Sequence, residues 1–425
     1  MSSRGSATGL RLVDPAPRHP VLRWVVELAP AYVVALLILP WVIAHGVAWP
    51  WQPSTIDLQV YVYAVRDMLA GKDIYATTTP GWNLPFIYPP IAAVLMVPLA
   101  VGPYWLWQLL WTFLLVWAQQ SVLKRCGVPR GWVLGLFGVV VVLAVEPIRT
   151  TLGYGQVNTL LMALVVADLL PDRPPGRSPG LRPEGERRRI PRGTLIGLAA
   201  AIKLTPALFV VFAYLAGRRR TAITGVISFL AFTLVGAIIQ WSPTVVFWSS
   251  IAVGDTRTPN SPYYVGNQSL LGTVTRFAGA TDVATTLLGL TLSALVALTG
   301  AVVAAHWWRR GEKVFAVGLV GLCTCLASPV TWTHHYVWVL PLGAAVLLSR
   351  TLPRWVRLLG GSWVVWVSLG LPLAVLPYGY DAELRYTPLQ ELVGNLGPLL
   401  GLALMVGLLG QMVNAHRKRA VAAVT

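Results

Sequence analysis

The sequence predicts an all-α polytopic membrane protein, and three observations predict it. The 425 residues have a mean hydropathy of +0.64, with 56% hydrophobic and 12% charged side chains. That is too little charge to solvate a water-soluble fold of this size. Twelve apolar stretches approach the roughly 20 residues needed to cross a hydrocarbon core as helix. The Lys and Arg residues, which give a formal charge of +17, fall in short clusters between those stretches. Clusters so placed mark cytoplasmic loops, not a nucleic-acid-binding stripe. Cys126, Cys323 and Cys325 have neither disulfide nor metal spacing and read as packing residues.

Residues 1–23, with Arg4, Arg11, Arg18 and Arg23, lack a small-residue cleavage site after the first apolar run. They are expected to form a cytoplasmic tail feeding a retained anchor. The candidate spans follow at 24–48, 86–101, 103–123, 131–148, 156–171, 194–215, 221–240, 284–307, 313–328, 334–349, 354–376 and 396–413. If all crossed, Lys124-Arg125 and Arg187-Arg188-Arg189 would fall outside, against the charge rule. Two adjustments restore it. The 86–101 run is short and contains Pro89-Pro90, so it lies at the interface or re-enters. The 194–215 run carries Lys203 and Pro206 at its middle and basic clusters at both ends, so it reads as two half-helices returning to one side. About 10–12 segments then make one membrane domain over 24–413, with outer loops at 49–102, 149–156, 241–283 and 377–395. The linker 172–193 and the tail 414–425 stay cytoplasmic. No internal repeat is evident, unlike the inverted-repeat transporters.

The residues able to carry chemistry gather in the outer segments. After Thr55-Ile56-Asp57, apolar residues at Leu58, Val62, Val65 and Leu69 predict a short amphipathic helix on the membrane surface, with Gly71 near its C-cap. Asp57 reads either as an N-cap or as a general base at the membrane edge. Trp82, Asn83 and the Tyr88-Pro89-Pro90 turn follow. In Glu146–Asn158, Gly153 and Gly155 permit a tight polar turn by Tyr154, while Gln156 and Asn158 suit either sugar hydroxyls or helix capping. Lys203, costing about 2.5–3.5 kcal/mol at mid-membrane, either snorkels or meets an anion such as a lipid phosphate. The loop with Asp255, Arg257, Asn260, Tyr263, Tyr264, Asn267, Gln268 and Arg276 offers a sugar-and-phosphate surface or an interfacial aromatic belt. In Ser328–Tyr336, Trp332 precedes His334 and His335, which diverge by about 100° on an α-helix and so share no metal easily. They are structural or bind a phosphate or acceptor.

Together, Asp57 with the DLxVY run, YPPIAA, GYGQVNTLL, GLAAAIKLTP, GNQSL and SPVTWTHHYVW resemble the actinobacterial polyprenol-phosphate-mannose-dependent α-1,2-mannosyltransferases of the glycosyltransferase C superfamily. The resemblance runs from about Asp57 to Trp338 in order. It implies a glycosyltransferase C-type helical bundle with large periplasmic loops in the bacterial inner membrane. It further implies inverting transfer of mannose from polyprenyl-phosphate-mannose, a substrate and not a cofactor, to a glycolipid: a phosphatidylinositol mannoside, lipomannan or lipoarabinomannan. Asp57 maps onto the family's acidic base, His334 or His335 onto its motif near donor phosphate or acceptor, and Lys203, Gln156 and Asn158 onto further family strings. The competing expectations are a lipid-linked sugar flippase, or a related transferase using arabinofuranose or glucose.

Overall fold

Unbroken apolar runs make the long helices, and runs interrupted by Pro, Gly or Lys make short ones. The computed structural model describes residues 19–45, 55–171, 190–255 and 262–422. The expectations for residues 1–18, for most of the 172–193 linker and for Arg257 and Asn260 lie outside the described residues. Among the described residues there is no strand, only the isolated bridges Thr78–Pro85 and Asn267–Trp332.

Helix α1 (Pro20–His45) packs on α4 (Tyr104–Arg125) and α5 (Trp132–Ala144). Between α1 and α4 lie α2 (Ile56–Leu69) and α3 (Pro90–Leu95), the latter followed by a 3-10 turn at Val97–Ala100. The 86–101 run therefore contains no crossing helix, as its prolines foreshadow. Helix α2 departs from expectation. Leu58, Val62 and Val65 are buried, but so are Val60, Tyr61 and Ala64 on other faces, while Leu69 is exposed. It is enclosed by protein on most of its faces, packing on α3 and α6 (Glu146–Tyr154).

Helices α5 and α6 meet at an 81° bend at Val145, where Pro147 is one of the first residues of α6. Helix α7 (Asn158–Leu169) then runs back. The 194–215 run is divided as expected: α8 (Thr194–Ile202) stops at Lys203, whose backbone is extended, and α9 (Leu208–Leu215) follows a 3-10 turn containing Pro206. Gly193 and Gly197 of the α8 strip face Thr221 and Gly225 of α10 (Arg219–Ile239) in ascending order. Val210 of α9 also meets Gly225, although α9 leads into the start of α10. The pair is thus a hairpin whose two ends share one end of the bundle.

That end is basic. Arg125 and Arg192 donate to the carbonyls of Leu170 and Asp168, Arg309 to that of Leu215, and Arg218 lies over the Trp308 ring. Beyond α11 (Trp241–Ala252) and α12 (Leu270–Ala278), the long α13 (Val283–Arg309) returns to it. Helix α14 (Lys313–Ala327) is buried along its length between α13 and α15 (Val339–Leu348). Helices α16 (Arg354–Leu369), α17 (Leu371–Val375) and α18 (Pro388–Ala422) close the bundle.

Among the described residues, four helices are long and apolar enough to cross a membrane, Pro20–Leu37, Arg219–Ile239, Val283–Arg309 and Pro388–Lys418, or five if the bent α5–α6 pair is one span. The other predicted spans are helical but shorter or bent, or, in α4, diluted by Gln108, Gln119 and Gln120. The centre of the bundle is built from these: α7, α8, α14 and α15 have 12, 9, 15 and 10 residues.

Candidate functional site

The end opposite the basic one collects the start of α2, the α6–α7 turn, the tip of the α8–α9 hairpin and the 3-10 turn Thr333–Trp338 before α15. Each is a place where a helix ends, so polar side chains project into a common space without interrupting a span.

The α6–α7 turn organises the rest. Gly155 adopts φ 68°, and a Cβ there would stand 2.7 Å from Leu58 Cβ, so the turn reaches α2 only because this residue is glycine. The Gly153 carbonyl accepts from Thr55 N at 2.9 Å and the Gly155 carbonyl from Trp111 Nε1 at 2.7 Å. These contacts fix the first turn of α2 and with it Asp57. The position before the helix belongs to Thr55, and Asp57 lies within the first turn. Gln156 Oε1 accepts from Tyr61 and Tyr88 hydroxyls at 3.1 and 3.0 Å and from Val157 N at 3.1 Å. With its oxygen so engaged, the amide nitrogen is the end that donates to Asp57. Burial pushes the Asp57 carboxyl up to about 7, opposed by the charge of Lys203 and by the Gln156 hydrogen bond.

Two residues on, Asn158 joins the other half of the site. Its Oδ1 accepts from Lys203 Nζ at 2.9 Å, and its Nδ2 donates to the His334 carbonyl at 3.1 Å, which also accepts from Thr151. Lys203 Nζ stands 3.1 Å from His335 Nε2 and 5.6 Å from the centre of the Tyr88 ring. An ammonium can only donate, so Nε2 accepts and the imidazole carries its proton on Nδ1. Lys203 is thus held by neutral partners, its charge balanced only through space by Asp57. The cleft around Lys203, lined also by Thr205, Thr324 and Trp338, has about 390 Å³ free of atoms, partly open to the surroundings.

The histidines take separate places: His335 joins Lys203, and buried His334 packs edge-on against Tyr154 with ring centres 5.2 Å apart. In the 3-10 turn the two rings also meet edge to face at 4.8 Å.

Other predicted residues serve the frame. Asn267 Nδ2 donates to the Pro262 and Pro329 carbonyls, while its Oδ1 accepts from Ser269 N and Thr331 N. Gln268 Nε2 donates to the Val265 and Gly394 carbonyls. Both hold the segment carrying Trp332 and the histidines, and Trp332 packs on Tyr264, which meets Tyr378. Arg276 is fully buried, donating to Asn395 Oδ1 and to the carbonyls of Tyr264 and Asn267. Trp82 is exposed and Asn83 forms a left-handed turn outside the site. Tyr61, which pins Gln156, was not among the predicted residues. Its position four after Asp57, on the same helix face, is the sequence signal for it.

Chemically, the site pairs a carboxylate of raised proton affinity with a cation and an imidazole across one turn. The profile of Glycosyltransferase family 87 matches residues 86–329, more than half the chain. The chain belongs to glycosyltransferase family 87. Most of the assembled residues of this family 87 protein, from Tyr88 through Gln156, Asn158 and Lys203 to Gln268, fall inside the matched region. Asp57 precedes it and the histidines follow it. Curated relatives extend the likeness. A Mycolicibacterium smegmatis polyprenol-phosphate-mannose-dependent alpha-(1-2)-phosphatidylinositol mannoside mannosyltransferase is 32% identical over 380 residues, covering 78% of this chain and 80% of its own. Its Mycobacterium tuberculosis namesake is 32% identical over 410 residues, 81% of this chain and 89% of its own. A Mycobacterium tuberculosis phosphatidylinositol pentamannoside mannosyltransferase of the same donor dependence is 30% identical, covering 87% and 85%. No solved structure matches. This family 87 member is a multi-pass membrane glycosyltransferase.

Proposed function

We propose that this enzyme transfers mannose from polyprenyl-phosphate-mannose to a phosphatidylinositol mannoside, forming an α-1,2 linkage at the periplasmic face of the inner membrane, with Asp57 as general base. The observation carrying this reading is the pairing of Asp57 and Lys203 through Gln156 and Asn158 on one turn. The names of the relatives supply donor and acceptor. The basic clusters gathered at the opposite end supply the orientation, since such clusters remain cytoplasmic. Residues 24–413 are then one catalytic membrane domain, with cytoplasmic tails.

In the reaction, an acceptor hydroxyl attacks the anomeric carbon and gives its proton to the Asp57 carboxylate. The bond between that carbon and the phosphate oxygen breaks, and polyprenyl phosphate departs with the electron pair and one further negative charge. The Lys203 ammonium, oriented by Asn158 and His335, stabilises that charge. A single displacement on a β-linked donor inverts the centre and yields the α-mannoside. No cofactor enters; the sugar phosphate is consumed as substrate.

The test is transfer of labelled mannose by purified protein to a panel of phosphatidylinositol mannosides. Asp57→Asn keeps size and polarity but removes the base, and rate should fall about 10²–10⁴-fold. Undiminished transfer by a folded Asp57→Asn protein would remove Asp57 from the mechanism.

A further inference from the structure

One buried acid stands apart from the site and has no part in the chemistry proposed above. Asp168, the penultimate residue of α7, is only 1% exposed and lies at the basic end of the bundle. Its Oδ2 accepts from three backbone N–H groups at the start of α8: Gly193 at 2.9 Å, Leu195 at 2.9 Å and Ile196 at 3.0 Å. The first turn of a helix needs such an acceptor, ordinarily the side chain of the residue just before it. In α8 that place belongs to Gly193, which has no side chain to offer. A Cβ there would stand 2.1 Å from the Thr221 carbonyl oxygen, so the close approach of α10 demands glycine. The acceptor has to come from a neighbour, and an acidic one suits the positive end of the helix dipole.

The neighbour that supplies it is the helix whose other end enters the site. Asn158 opens α7 and accepts from Lys203 Nζ, and Asp168 comes ten residues later, about 15 Å along the axis. Helices α7 and α8 are thus tied at both ends, by Asp168 to the first turn of α8 and by Asn158 to the lysine that follows its last residue. The connection, residues 170–193, counts 24 residues, so its length sets no register as a tight turn would. Toward α10 the contact is made by Gly193 and Gly197, and a face without protruding side chains fixes distance better than axial position. On that side Ser228 Oγ adds one bond, to the Thr194 carbonyl at 2.8 Å. A shift of α8 moves the backbone of Lys203 with it. The two ammonium bonds, 2.9 Å to Asn158 and 3.1 Å to His335, are lost when they lengthen by about 1 Å. We infer that Asp168 is a positioning residue for the transfer: by holding the first turn of α8 to α7, it sets the Lys203 ammonium between Asn158 and His335. Its part in transfer rests on the reaction proposed above, whereas its hold on Lys203 does not.

Asp168→Ala removes the acceptor, while Asp168→Asn keeps the size and one neutral oxygen should the first variant not fold. Ser228→Ala, which takes one bond from the same turn on the α10 side, is the comparison. The first measurement needs no substrate. His335 Nε2 accepts from Lys203, so it should give the magnetic-resonance signal of an unprotonated ring nitrogen. The full-length protein in detergent carries the heavy nitrogen isotope only in its six histidines, and His335→Gln assigns the signal. That signal should shift in Lys203→Met, shift likewise in Asp168→Ala, shift less in Asp168→Asn and stay in place in Ser228→Ala. The second measurement is the pH dependence of transfer. Asp168→Ala should lower kcat/KM for the donor about tenfold and move the acidic limb to higher pH. Neither change should recur when Asp168→Ala is made in Lys203→Met protein. Unchanged His335 signals in every folded Asp168 variant would overturn the inference, leaving Asp168 a helix cap and nothing more. So would an equal loss of rate in the Lys203→Met background, or a His335 signal indifferent to Lys203→Met. The expected shifts in a protein that transfers no mannose would count against the transfer and not against the tie.

Discussion

If Asp57 is the base proposed above, its carboxyl, raised to about 7, makes the rate depend on pH near neutrality. With Asp57 protonated below that value, kcat/KM should climb through pH 7 as the carboxylate forms. Lys203 pulls the Asp57 pKa down. In Lys203→Met the acidic limb of the profile should therefore move to higher pH, beyond any uniform loss from weaker phosphate binding. A pH–rate profile of both proteins distinguishes the two effects; an unmoved limb would mean that Asp57 does not feel the ammonium. At this scale the sequence discloses the reactive groups better than their supports. A carboxylate in an outer loop and a lysine in an apolar run are conspicuous because each is costly. Asn267 and Gln268 look equally suited to sugar, yet their amides are occupied by backbone groups that only the folded chain brings near. Tyr61 resembles an ordinary packing aromatic until its hydroxyl is placed.

Elements that depend on local breaks are legible, and those that depend on enclosure are not. Pro206 and Lys203 announce the α8–α9 hairpin, and the prolines of 86–101 its lack of a crossing helix. The burial of α2 on several faces is unannounced, because its hydrophobic pattern suits a membrane surface as well as a protein interior. The 81° bend between α5 and α6 was also hidden, since the 131–148 run stays apolar up to Glu146 and only Pro147 marks it. The approach of the α6–α7 turn to α2 carries its own test. Gly155→Val places a branched side chain at φ 68° and against Leu58, straining the turn by about 1–3 kcal/mol. Helix α2 is expected to shift, lowering both Tm and transfer rate, whereas Leu58→Ala in the same background should recover part of each.

Across the described residues, Arg125, Arg192, Arg218 and Arg309 meet at one end of the bundle and the site occupies the other. Impermeant maleimide on intact cells reads that orientation directly. In a background lacking the three buried cysteines, Tyr380→Cys, at a fully exposed loop position, should be labelled, and Arg310→Cys only after the membrane is opened. The reverse pattern would invert the proposed topology. Hydropathy made the bundle legible as a membrane protein but not which apolar runs form one long helix, because a run of apolar residues looks the same whether its helix continues or stops. Such a stop is what the site uses. The nine residues of α8 rise about 14 Å at 1.5 Å each, against a hydrocarbon core about 30 Å thick. In the transfer proposed above the helix acts as a ruler, its length setting how far from the basic end a lipid-borne phosphate would meet the ammonium. One turn more or less, about 5.4 Å, would carry Lys203 clear of His335. On that reading, the place where donor and ammonium would meet is written into the length of one short helix.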